Sequence, residues 1–128
     1  MKLINMSGRV VSVKINPADF PIRGTGSKSK IQTRVGEALQ KRFKLQTILE
    51  EWTIPASRMS LDFFLPNIKV ACEIQGEQHR KFSKFFHGSI QGFKEQLKRD
   101  SEKREWCKMN DIELIEIYEE DDIEEKLK

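Results

Sequence analysis

Apolar positions alternate near the start of the chain: Val11, Val13 and Ile15 fall on one side of an extended segment, and Arg9, Ser12 and Lys14 on the other. Alternation on both sides of Ser7-Gly8 predicts a strand pair over residues 3–15. NPADFPIRGTGSKSK follows, with too many prolines, glycines and hydroxyl residues for regular structure, and reads as a cationic loop. From Ser29 the period changes. Ser29 and Gln32 have capping-box spacing, and Ile31, Val35, Ala38, Leu39 and Phe43 recur at helical intervals. They predict a helix over about 30–44, with an extension into LQTILEEW left open. Glu37 lies away from its apolar stripe, where a solvated glutamate is expected.

Two strand-like runs come next, LDFFLP (Leu61 to Pro66) and IKVACEI (Ile68 to Ile74), joined at Pro66-Asn67 and expected to pair antiparallel. IKVACEI is almost continuously apolar, as in a central strand, so Glu73 near its end is costly unless something pairs with it. Lys94 to Met109 is helical in period, with Phe93, Leu97, Asp100, Arg104 and Cys107 on one side. An aspartate within that stripe needs a partner. Ile112 to Tyr118 reads as a further strand and EEDDIEEKLK as a short acidic helix or a frayed tail. The succession predicts an α/β or α+β domain with a central sheet flanked by helices.

At 128 residues, with 38% apolar positions, the chain has the size of one domain, 1–128: a hairpin and basic loop over 1–29, a core over 30–118 and an acidic tail over 119–128. Cys72 and Cys107 form no CxxC pair, which points to a reducing, cytoplasmic setting rather than a disulfide framework. No run approaches the roughly 18 apolar residues of a membrane span. The net charge of +3 conceals a division: Glu116 to Lys128 holds seven acids and two bases, which leaves +8 on the preceding chain. Such a body attracts polyanions, although an ordinary solubilising surface has the same sum. GTGSKS lacks the spacing and the Gly-Lys pair of a phosphate loop.

Two adjacent strands can bring Asp62 and Glu73 together, and a divalent cation is the usual means of keeping two close carboxylates ionised. Hard oxygen ligands favour Mg2+ over Zn2+. The alternative is structural, with Asp62 capping a turn and Glu73 paired with Lys69 or an arginine. A zinc site from Cys72, His79, His87 and Cys107 matches no compact ligand spacing.

Taken in order, GEALQKRF, LDFFLP, CEIQGEQH and KRDSEKREWCKMNDIELIEI resemble the PD-(D/E)XK, or restriction-endonuclease-like, nuclease superfamily. The likeness is greatest to the branch with an EDxHD pattern that contains very-short-patch-repair and phage homing endonucleases. Glu37, Asp62, His79 and Asp100 match that pattern over residues 30–117. The resemblance implies a mixed sheet flanked by helices and Mg2+-dependent hydrolysis of DNA phosphodiesters, with Mn2+ as a substitute, by a phage or host-cell homing or repair-nicking enzyme. It assigns the metal to Asp62, Glu73 and the Ile74 carbonyl, the proton work to His79, and metal-water positioning or His79 orientation to Glu37 and Asp100. Gln75 stands where the wider superfamily has lysine, and glutamine supplies neither charge nor a titratable proton. Lys98 or Lys103 can enter the site from the second helix.

Arg23, Lys28 and Lys30 in the basic loop, and Arg80, Lys81 and Lys84 interleaved with Phe82, Phe85 and Phe86, are the candidate DNA contacts. A monomer would nick and a homodimer cut both strands. The rival expectations are a nucleic-acid-binding protein that kept the fold without catalysis, a nuclease for RNA or branched DNA, and an interaction module that uses its acidic tail.

Overall fold

The computed structural model describes residues 1–75 and 90–128. The N-terminal strand pair is present: β1 (Lys2–Ile4) and β2 (Val10–Ser12) pair antiparallel with Leu3 opposite Val11, and Gly8 turns the chain at φ 84°. The cationic loop contains two short 3-10 turns, Pro17–Asp19 and Gly24–Gly26. Helix α1 (Lys30–Arg42) starts where the capping box predicts, with Ser29 Oγ accepting from the Gln32 amide at 3.1 Å. It buries Gln32, Val35, Gly36 and Leu39. At Gly36 a Cβ would lie 3.2 Å from Phe63 Cζ, so the glycine sets how closely α1 approaches the sheet.

LQTILEEW does not continue that helix. Phe43 leaves helical geometry and Leu49–Thr53 forms strand β3, which pairs antiparallel with β4 (Ser60–Leu65). β5 (Val70–Gln75) pairs antiparallel with β4, starting after Lys69 at φ 52°. Helix α2 (Ile90–Met109) then leads to β6 (Glu113–Tyr118), parallel to β5. The order β3-β4-β5-β6 makes one mixed four-stranded sheet in an α+β fold. The tail forms a short helix, α3 (Ile123–Lys126), capped by Asp122 and followed by the buried Leu127.

Each face of the sheet has its own core. Val35 and Leu39 of α1 pack with Phe63, Leu65, Cys72, Ile117 and Leu127 on one face. Trp106 and Cys107 of α2 pack with Leu3, Trp52, Phe64 and Ala71 on the other. The N-terminal hairpin is fastened to the end of α2, where Asn110 exchanges hydrogen bonds with the Ile4 backbone at 2.7 and 3.0 Å and Trp106 Nε1 donates to Ile4 O at 2.7 Å.

Strand β3 has a break in its alternation. Glu51 adopts φ 57°, in the left-handed region. In an unbroken strand Leu49 and Trp52 would face opposite sides, yet both join the α2-side core. The reversal at Glu51 resets the pleat. Among the described residues no helix is long and apolar enough to cross a membrane.

Candidate active site

The register of the sheet assembles a row of acids. Glu51 lies between the pairs Glu50↔Phe63 and Trp52↔Leu61, and so opposite Asp62. Asp62 precedes the pair Phe63↔Cys72 and so lies opposite Glu73, which in turn pairs with Glu116 of β6. Four neighbouring strands each supply one carboxylate.

Asp62 and Glu73 are fastened to each other. The Asp62 amide donates to Glu73 Oε2 at 2.8 Å, and the Ile74 amide donates to Asp62 Oδ2 at 2.8 Å. The other oxygen of each meets a lysine: Lys103 Nζ of α2 lies 2.6 Å from Glu73 Oε1, and Lys28 Nζ lies 3.6 Å from Asp62 Oδ1. Both carboxylates are buried, at 8% and 4% exposure. Burial, then the Asp62 charge, raises the Glu73 pKa to about 8, with Lys103 opposing. Burial and the neighbouring like charge thus both disfavour the ionised form of Glu73.

Lys28 also lies 3.1 Å from Glu51 Oε1. Partial burial pulls its pKa down, but Asp62 and Glu51 outweigh that and leave it raised. Burial pushes the Glu51 carboxyl up, and hydrogen bonds from Lys28 and Gln32 outweigh it and leave it lowered. Behind this group Glu50 is saturated, accepting from the Arg23 amide at 2.7 Å, Ser27 Oγ at 2.6 Å and Gln32 Nε2 at 2.9 Å. It anchors the basic loop onto β3. Gln32 Nε2 also donates to Glu51 at 3.2 Å, which links α1 to the row.

The expected residues are distributed as follows. Asp62, Glu73 and Ile74 come together. Gln75 lies two residues beyond Glu73 on the same face, 4% exposed, with Oε1 free of any hydrogen-bond partner among the described residues. Asp100 is buried on α2 one turn before Lys103. Glu37 is exposed on α1, about 140° around the axis from Gln32, the α1 residue that reaches the strand acids. Arg23 and Lys30 are exposed beside the site, whereas Lys28 is engaged with Glu51 and Asp62. His79, Arg80, Lys81 and Lys84, with His87, Phe82, Phe85 and Phe86, lie outside the described residues.

The structural alternative named Lys69 as partner of Glu73, but Lys69 Nζ bonds to the Asn110 carbonyl at 3.3 Å and Lys103 takes the carboxylate. Cys72 and Cys107 belong to cores on opposite faces of the sheet, which separates the two thiols of the drawn zinc site. Glu51, Gln32 and Glu50 were not among the residues expected from sequence. Of the two helix lysines expected to enter the site, Lys103 reaches Glu73, and it shares the α2 stripe with Asp100 and Cys107 at three- and four-residue intervals.

The donors, two carboxylates and a neighbouring backbone carbonyl, suit a hard divalent cation rather than zinc. Among the described residues no three His, Cys, Asp or Glu side chains are grouped closely enough to hold a metal by themselves. As placed, Asp62 and Glu73 have their four oxygens facing two amides and two ammonium groups.

No family model matches the chain, and no solved structure matches it. It is similar to three viral proteins, each named as uncharacterized. Identity is 38% over 59 residues with protein 307L of Invertebrate iridescent virus 6, covering 46% of this chain and 30% of the relative. It is 32% over 114 residues with protein 033L of Invertebrate iridescent virus 3, covering 81% and 58%. With protein 094L of Frog virus 3 it is 40% over 68 residues, covering 52% and 44%. The chain thus spans less than two thirds of the length of each curated relative it matches.

Proposed function

We propose that the chain is a divalent-cation-dependent endonuclease that hydrolyses phosphodiester bonds in DNA, with a restriction-endonuclease-like core. The observation that carries the reading is the buried Asp62–Glu73 pair, locked by backbone-amide hydrogen bonds and backed by Lys28 and Lys103 in a helix-flanked mixed sheet. Asp62, Glu73 and the Ile74 carbonyl are the groups that would hold Mg2+ or Mn2+. When bound, the cation would polarise the scissile phosphate and lower the pKa of its water.

The remaining residues act around that centre. Lys103, with its side chain 18% exposed, supplies beside Glu73 the positive charge that Gln75 lacks. Gln75 Oε1 is an acceptor able to orient a water near the strand end. His79 keeps the proton-transfer role implied by the resemblance. Arg23 and Lys30, both exposed on the loop and first turn that lead into the site, meet phosphates. The relatives are viral proteins, and a virus-encoded repair-nicking or homing enzyme is the narrower form of this proposal.

A nucleic-acid-binding protein without catalysis is the second reading. It draws on the same site, because the protein itself supplies a donor to each of the four carboxylate oxygens. Supercoiled plasmid incubated with Mg2+, Mn2+ or EDTA separates the two. Cation-dependent nicking that is lost in Asp62→Ala and Lys103→Ala is expected of the nuclease. DNA binding without cleavage under every cation would establish the second reading, and cleavage that survives Asp62→Ala would place the active site elsewhere.

A further inference from the structure

Glu51 is a half-buried acid in a backbone conformation that L residues seldom adopt, φ 57° in mid-strand, directly across from Asp62. Lys28 bridges the two carboxylates at 3.1 and 3.6 Å. The bridge is asymmetric: the Lys28 side chain is 58% exposed, while those of Glu51 and Asp62 are 15% and 11% exposed. The carboxylates are held in place by Gln32 and by the Ile74 amide, at 3.2 and 2.8 Å. The ammonium hangs on a four-carbon stem and can swing into solvent.

We propose that Glu51 is a third carboxylate of the divalent-cation site, and that the Lys28 ammonium is a tethered place-holder which the cation displaces. This rests on the cation reading of Asp62 and Glu73 given above. Two carboxylates sharing one ammonium keep a net negative charge, which a divalent ion neutralises more completely. Among the described residues no three acids are grouped closely enough to hold a metal as placed, so the carboxylates must also draw together when Lys28 leaves. Its departure frees Glu51 Oε1 and Asp62 Oδ1 on adjacent strands. Gln75, on the same strand face as Glu73, adds a buried Oε1 that has no donor among the described residues. A water carried by the cation is a donor of the right kind. Once displaced, Lys28 joins Arg23 of the loop and Lys30 of the first α1 turn, so loading the cation also adds a phosphate contact.

Mn2+ binding to the full chain without DNA, followed by electron paramagnetic resonance titration, tests this apart from cleavage. Lys28→Met should bind Mn2+ about fivefold to tenfold more tightly than the parent, the scale expected for removing one competing charge from a partly solvated site. Glu51→Gln in the Lys28→Met background should cancel the gain, and Asp62→Asn should abolish binding. Unchanged or weaker binding in Lys28→Met, with binding still lost in Asp62→Asn, overturns the place-holder and leaves the cation reading intact. Binding that survives Asp62→Asn, or that is absent from parent and Lys28→Met alike, overturns both. Melting curves in EDTA confirm folding; if Glu51→Gln fails to fold, the exposed Lys28→Met carries the test.

Discussion

Lys103 of α2 donates to Glu73 of β5 across 2.6 Å, and both side chains are mostly buried. Removing one partner of a buried pair usually costs several kcal/mol, because the other charge is left unpaired. Glu73 has a way out, since a carboxyl already raised to about 8 can take up a proton. Lys103→Met should therefore cost only about 1–2 kcal/mol near pH 6, and more at pH 9, where the carboxyl is harder to neutralise. Urea denaturation at the two pH values measures the difference. An equal loss at both would show that the pair contributes by packing alone.

The same carboxyl sets a pH dependence for the metal-free protein. Its folded pKa of about 8 lies above the ordinary 4.5, so between those values the folded state holds a proton that the unfolded chain has released. Stability falls as pH rises through that window, by up to a few kcal/mol. A depressed carboxyl would give the opposite slope. In EDTA the melting temperature should decline from pH 5 to pH 8, and saturating Mg2+ should flatten the decline by favouring the ionised form. A rise across this range in EDTA would contradict the raised pKa.

Most elements could be read from the apolar pattern. Alternation gave the β1–β2 hairpin, apolar runs gave β4 and β5, which pack on both faces, and Ser29 marked the start of α1. β3 misled for a physical reason. Leu45, Ile48, Leu49 and Trp52 stand at the i, i+3, i+4, i+7 spacing of a helix. Leu45 is 98% exposed in a turn, while Leu49 and Trp52 share a core only because Glu51 reverses the pleat between them. Missing β3 also hid Glu51. Asp62 and Glu73 were legible since acids in apolar strands demand partners, but which cations answer them depends on loop and helix placement that periodicity does not encode.

Cys72 and Cys107 are 0% and 1% exposed, and burial pushes both thiols up to about 12. Thiolate is the reactive form, so neither should react quickly in the folded protein. Ellman's reagent under native conditions should label both slowly, at a rate set by opening, and both at once in urea. Their places in opposite cores also forbid a mutual disulfide without unfolding. A fast-reacting equivalent in the native state would contradict the burial of one of the two cores.

Glu51 and Ala56 offer a paired test of strain against function. Both hold left-handed backbone, at φ 57° and 59°. Ala56 is exposed in the turn after β3, and no side-chain bond ties it there. Ala56→Gly should stabilise the protein by about 0.5–1 kcal/mol, the relief of a left-handed Cβ less the added freedom of the unfolded chain. Glu51→Gly gains the same relief but loses the acceptor of Lys28 and Gln32. A half-exposed ion pair and one hydrogen bond together contribute about 1 kcal/mol, so the net change should lie near zero or below it. Thermal melts of both variants in EDTA at pH 7 give the comparison. If Glu51→Gly stabilises as much as Ala56→Gly, the Glu51 carboxylate adds nothing to the metal-free fold, and only a ligand could account for a glutamate at that strained position.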